Sequence, residues 1–205
     1  MMRSVSADAV AAKVPPLWRA VASALLLIAG LLALVQQRAG ILSHGTEIRL
    51  RTVPVDPRDL FRGDYVVFGY PISVVDTGAG AGAFKTGETV YVTLGRDAEG
   101  FARAASVSRD WPAVGGGAVV IAGRVVSTSA CALDDAGRFD CSGDRRRLRI
   151  AYGIESYFVP QGEGRAIETT DKARIEVVVA VSSSGEAAIK RLLIDGKPLY
   201  AEPPY

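Results

Sequence analysis

VVVAVSSSGEAAIKRLLIDG, residues 177–196, can be read in two ways, and the choice decides the fold. The stretch 187–194, AAIKRLLI, passes for a short helix on propensity. It follows Ser182-Ser183-Ser184-Gly185 directly after the valine-rich run 177–181, however, and it stops at Asp195-Gly196. Turn residues on both sides make it the hairpin partner of the preceding strand. The rest of the chain reads the same way. In 47–53, EIRLRTV, Ile48, Leu50 and Thr52 alternate with Glu47, Arg49, Arg51 and Val53. Segments 65–70, 89–94, 101–109, 118–126, 147–154 and 174–181 are likewise rich in Val, Ile, Tyr and Thr and bounded by Gly, Pro and Asp. Few segments sustain a helical period; 164–172 is the best place for one or two helical turns. The expected class is mainly β, a β-rich α+β chain whose N-terminal transmembrane helix precedes an antiparallel sheet or barrel-like domain.

The helix is legible in composition. No charged residue occurs from Ala20 to Val35, and with Leu17, Trp18, Gln36 and Gln37 the apolar segment is roughly 20 residues, about 30 Å as a helix. Arg19 can lay its stem along hydrocarbon with its guanidinium at the headgroups, and Trp18 suits the same level. A cleaved signal peptide and a buried core helix are the competing readings; the exit, 34–40, holds no clean A-x-A pair. The expected organisation is a cytoplasmic tail (1–16), an anchor (17–37) and an extracytoplasmic domain (43–205), with a division into two β subdomains near 127–146 left open. Flanking charge does not orient the anchor, because Arg3, Lys13 and Arg19 are matched by Arg38, Arg49 and Arg51.

Cys131 and Cys141, the only two cysteines, supply the orientation. They flank one loop, ACALDDAGRFDCSG, whose Asp-Ala-Gly centre reads as a hairpin tip. A short disulfide there points to an oxidising compartment, since a cytosolic pair without C-x-x-C or nearby histidines has no evident redox or zinc role; two free thiols in an exposed loop are the alternative. The whole chain has 24 basic and 22 acidic residues, and removing Arg3, Lys13, Arg19, Arg38 and Asp8 leaves 20 against 21 from Ala39 onward. An almost neutral body argues against nucleic acid as partner. The one basic run, Arg145-Arg146-Arg147 with Arg149, reads as a solvated strand face opposite Leu148, Ile150 and Tyr152.

Residues 54–70, PVDPRDLFRGDYVVFGY, form the most distinctive segment. Pro54, Asp56-Pro57 and Asp59 make 56–62 a tight connection, Gly63 can take a positive φ, and Asp64 can accept backbone N–H bonds. In the strand that follows, Tyr65, Val67 and Gly69 face one way and Val66, Phe68 and Tyr70 the other, so Tyr70 is expected in the core with its hydroxyl satisfied and Tyr65 at a surface. The segment resembles the GDYXXLXY proteins: Gly63, Asp64, Tyr65 and Tyr70 match, with Phe68 at the leucine position. A second stretch, 152–168, YGIESYFVPQGEGRAIE, is similar to that family's other common segment, with Gln161 in place of a glutamate. The resemblance implies a protein attached to a bacterial inner membrane with a partner among multi-spanning membrane proteins; it brings no reaction with it.

Enzymatic readings have little to stand on. The single histidine, His44, lies just past the apolar segment. A serine–lysine peptidase lacks its nucleophile motif, and the body lysines Lys85, Lys172, Lys190 and Lys197 have no recognisable serine partner. Asp56, Asp59, Asp64, Glu155, Glu163 and Glu168 could converge as an acid/base pair or cation site, though their spacing fits no ligand pattern. The glycine loops at 78–82 and 115–117 lack the context of a phosphate loop, so no cofactor and no metal is assigned. The reading adopted is a binding or scaffolding module for another membrane or envelope component. Arg58, Arg62, Asp64 and Tyr65 form its contact patch with Tyr157 and Glu163; a membrane-anchored hydrolase, or a metal- or ligand-binding protein using the carboxylates, is the alternative.

Overall fold

The computed structural model describes residues 15–53, 65–77, 83–113, 115, 117–133, 138–141, 146–158, 167, 170–171 and 174–201. The chain divides into two compact units, Met1–Gly40 and Ile41–Tyr205. Helix α1, Pro16–His44, begins with proline at its first position, where the missing N–H costs nothing. Its 29 residues span about 43 Å, more than a bilayer core requires. The most apolar stretch of 18 residues has a mean hydropathy of 2.1, and none of it is buried. Leu25, Leu26 and Leu27, followed by Leu31, Leu32 and Leu34, are all exposed. Consecutive leucines point about 100° apart, so apolar surface runs around the helix instead of forming one core-facing stripe. It is therefore not a core helix of this chain, and it is long and apolar enough to cross a membrane.

In the second unit, Ile41 and Leu42 pack on Ala180 and Ala188. Gly45 follows the helix at a close approach: a Cβ there would lie 2.5 Å from the Ile41 carbonyl oxygen and 3.0 Å from the Ala180 Cβ. The strands are β1 Thr46–Arg51, β2 Tyr65–Val67, β3 Val74–Asp76, β4 Thr89–Arg96, β5 Ala102–Ser108, β6 Val119–Ser129, β7 Ala132–Leu133, β8 Phe139–Asp140, β9 Arg147–Ala151, β10 Ser156–Phe158, β11 Ile175–Val181, β12 Ala187–Ile194 and β13 Lys197–Ala201. All ladders between them are antiparallel. A five-stranded sheet runs β3-β9-β6-β4-β5, and its two edges approach each other while the 3₁₀ turn Pro71–Ser73 packs on β5 and β9, which gives the sheet its barrel-like curl. A four-stranded sheet runs β1-β11-β12-β13, and β2–β10 and β7–β8 are two-stranded.

Period-two burial builds the core. Ile48 and Leu50 of β1, Val90, Val92 and Leu94 of β4, and Leu148 and Ile150 of β9 turn inward. Strand β11 is buried along almost its whole length because both faces are covered: Val177, Val179 and Val181 join the main core while Ala180 meets Ile41 and Leu42. On the outer face of β9, Arg147 makes a two-pronged pair with its register partner Asp76, at 2.8 and 3.0 Å, and Arg149 is exposed. Of the helical turns expected at 164–172, Ile167 is helical and buried; the neighbouring residues 164–166, 168–169 and 172 lie outside the described ones.

Residues 187–194 are the expected hairpin strand. The loop before it is closed by Ser182, whose N–H donates to the Glu186 carbonyl and whose Oγ accepts the Glu186 N–H. After it, Asp195 and Gly196 both have positive φ, 52° and 74°, the geometry of a type I′ turn, and the chain returns as β13. A bulge explains why AAIKRLLI does not alternate. Val178 pairs with Arg191 and Val179 with Ile189, leaving Lys190 as the extra residue. Lys190 and Arg191 then both reach the Glu47 carboxylate. The hydrogen bond from Lys190, followed by the charge of Arg191, holds the Glu47 carboxyl below its ordinary value. A carboxylate so shifted contributes stability above its unfolded pKa and loses it as pH falls through the depressed folded value. The pair is partly exposed, so the effect is below about 1 kcal/mol. Melting temperatures of wild type and Glu47→Gln measured against pH are expected to differ at neutrality and to converge in acid.

Candidate functional site

The two distinctive sequence segments meet in the ladder of β2 and β10. Tyr65 pairs with Phe158, Val66 with Tyr157 and Val67 with Ser156. The pairing continues as the Phe68 N–H donates to the Glu155 carbonyl at 2.8 Å, and the other side of the segment is tied by the Val53 N–H to the Gly69 carbonyl at 2.9 Å. Beyond the ladder the segments exchange tyrosine hydroxyls. Tyr70 donates to the Ile154 carbonyl at 2.8 Å, and Tyr152 donates to the Ile72 carbonyl at 2.6 Å. Phe68 and Tyr70 are both buried, as their shared strand face requires, with ring centres 6.5 Å apart.

Each residue of Tyr152-Gly153-Ile154-Glu155 has an identifiable task. Tyr152 reaches across to Ile72, and Gly153 turns the chain with φ 77°. Ile154 is buried and offers its carbonyl to Tyr70. The Glu155 carboxylate fastens the turn by accepting the N–H groups of Tyr152 at 2.6 Å and Gly153 at 2.9 Å. Burial first, and the nearby Glu155 charge second, push both phenols upward: Tyr70 well above its ordinary value and Tyr152 likewise. Such hydroxyls stay neutral and donate hydrogen bonds; they are not poised as bases or nucleophiles.

The described residues bring only some of the sequence-predicted site together. Arg58, Arg62, Asp64 and Glu163 lie outside them, as do Asp56, Asp59, Glu168 and the turn expected at 56–62. Tyr65 enters the site through its backbone pairing with Phe158. Tyr157 is buried, its ring edge against Tyr200 at 5.7 Å, so it supports the ladder from within. Glu155 is occupied by the turn. Among the described residues no group of three or more His, Cys, Asp and Glu could hold a metal ion. His44 is exposed and within 2.7 Å of the Ser43 hydroxyl. Cys131 and Cys141 are joined by a disulfide, next in register to the Ala132–Asp140 pair of the β7–β8 hairpin. Sequence reasoning missed Tyr200 because β13, with exposed Lys197, Pro198 and Leu199, has no alternation to find.

No curated protein and no solved structure matches this chain. The profile of the GDYXXLXY protein family matches residues 27–192, from within the apolar helix to β12 and across both paired segments. With that match covering most of its length, the chain belongs to the GDYXXLXY protein family.

Proposed function

We propose that this protein is a single-pass, membrane-anchored β module whose second unit is extracytoplasmic and binds or scaffolds another component of the bacterial inner membrane or envelope, a multi-spanning membrane protein being the partner class. The observation that carries the reading is the β2–β10 ladder. It joins two segments far apart in sequence and uses three of their polar groups, the Tyr70 and Tyr152 hydroxyls and the Glu155 carboxylate, to build structure. The part of the signature proposed for recognition is the chain that adjoins the Tyr65–Phe158 end of that ladder in sequence, 54–64 before Tyr65 and 159–166 after Phe158. Arg58, Arg62, Asp64 and Tyr65, with Glu163, are the proposed contact residues, and Tyr157 is their buried support. The apolar surface of α1 supports the anchor, and the bonded cysteines support an oxidising compartment.

Crosslinking in intact membranes, followed by recovery of the full-length chain, tests this. One membrane protein should be recovered with wild type and lost with Arg62→Ala and Tyr65→Ala variants that keep the wild-type melting temperature. Undiminished recovery with both variants would remove the patch.

A further inference from the structure

The second unit carries an open cleft of about 780 Å³ beside β1, between the β4–β5 hairpin, the start of β6, and the β12–β13 turn. This is within the range of small-molecule sites. Its apolar lining comes from Ile48, Leu94, Val119 and Leu193, and its charged lining is three arginines, Arg49, Arg96 and Arg191, against one glutamate, Glu47. Two of the arginines are already engaged. Arg49 donates to Glu176 at 2.6 Å with its guanidinium 4.7 Å from the Phe101 ring centre, and Arg191 is paired with Glu47. Arg96, exposed at the end of β4, has no hydrogen-bond or ion-pair partner among the described residues. The site is therefore a partly apolar, partly basic trough in which Arg96 has no partner among the described residues.

We propose that this cleft binds a single-chain amphiphile with an anionic head, a long-chain fatty acid being the simplest, its chain along Leu94, Val119 and Leu193 and its carboxylate on Arg96. A polyphosphate ligand would need several free cations, and the apolar lining would gain nothing from it. An extended peptide adding to a sheet would need free backbone groups; the edge strands β1 and β5, which line the cleft, are bridged to each other at Arg49 and Phe101, just before β5. A fatty acid uses both features at once: its chain leaves water and its one charge meets the Arg96 guanidinium, which has no partner among the described residues. This site and its ligand are separate from the signature patch.

Photolabelling tests the assignment on the full-length chain in membranes. The probes are palmitic acid carrying a mid-chain diazirine and the corresponding alcohol, with labelled residues mapped by mass spectrometry. The acid is expected to label peptides containing Leu94, Val119 or Leu193 more strongly than the alcohol does. Arg96→Ala should lower that labelling roughly tenfold, the scale of one charge-assisted hydrogen bond, while Arg96→Lys retains most of it. Labelling confined to residues of α1, equal labelling by acid and alcohol, or indifference to Arg96→Ala would each overturn the proposal.

Discussion

Tyr70→Ala is expected to cost about 3–5 kcal/mol of folding stability, the range for removing a large aromatic from a packed core. Tyr70 is 1% exposed, and its ring lies in the cluster that includes Phe68, Ile72 and Ile154. The loss has two parts that a second substitution separates. Tyr70→Phe keeps the ring and leaves the Ile154 carbonyl without its donor, which costs about 1–3 kcal/mol. Tyr152→Phe should behave alike through Ile72. Chemical denaturation of the full-length chain, followed by near-ultraviolet circular dichroism, reads both. If Tyr70→Phe and Tyr152→Phe each melt like wild type, the exchanged hydroxyls do not secure the two segments.

Gly123→Ala is the second large effect. Gly123 lies in β6 under the aromatic ring of Tyr152. A Cβ there would come within 2.4 Å of the Ile150 Cγ2 and 2.8 Å of the Tyr152 ring, distances that non-bonded contacts of real Cβ atoms essentially never show. Overpacking of this kind costs about 1–3 kcal/mol. Displacing the Tyr152 ring also threatens its 2.6 Å bond to Ile72, adding about 1–3 kcal/mol where that bond is lost. Adding Ile150→Leu removes the branch methyl that the new Cβ strikes, so the double variant should be more stable than the sum of the two single losses predicts, because the sites share one collision. Strict additivity in that cycle would show that the collision is not the cause.

Alternation made much of this fold legible in the sequence. Ile48, Leu50 and Thr52 on one face of β1, and Leu148, Ile150 and Tyr152 on one face of the β9 segment, are all buried as their spacing requires. The same rule places Tyr70 in the core, and its hydroxyl is satisfied there. What spacing could not supply was the partner, since Ile154 is 84 residues away and Ile72 is 80 from Tyr152. A hydrogen bond to a backbone carbonyl leaves no side-chain signature at the accepting end. Short strands were invisible for another reason. Val74–Asp76 and Ser156–Phe158 are three residues each, too few to establish a period. The bulge at Lys190 hid β12 in a helix-like string, and only the flanking turn residues identified it. Arg96 gave no warning at all, because the cleft that makes it notable is assembled from strands distant in sequence.

Phe68 and Tyr70 of the signature are buried in the core and build the fold; Arg58 to Tyr65 are the part proposed to meet a partner. Crosslinked recovery from intact membranes, run side by side for Tyr70→Phe and for the Arg62→Ala and Tyr65→Ala variants below their melting temperatures, tests that division most directly. Tyr70→Phe is expected to lose stability and keep the partner, whereas Arg62→Ala and Tyr65→Ala are expected to keep stability and lose the partner. Partner recovery that follows stability across all three variants, or survives in all three, would contradict it.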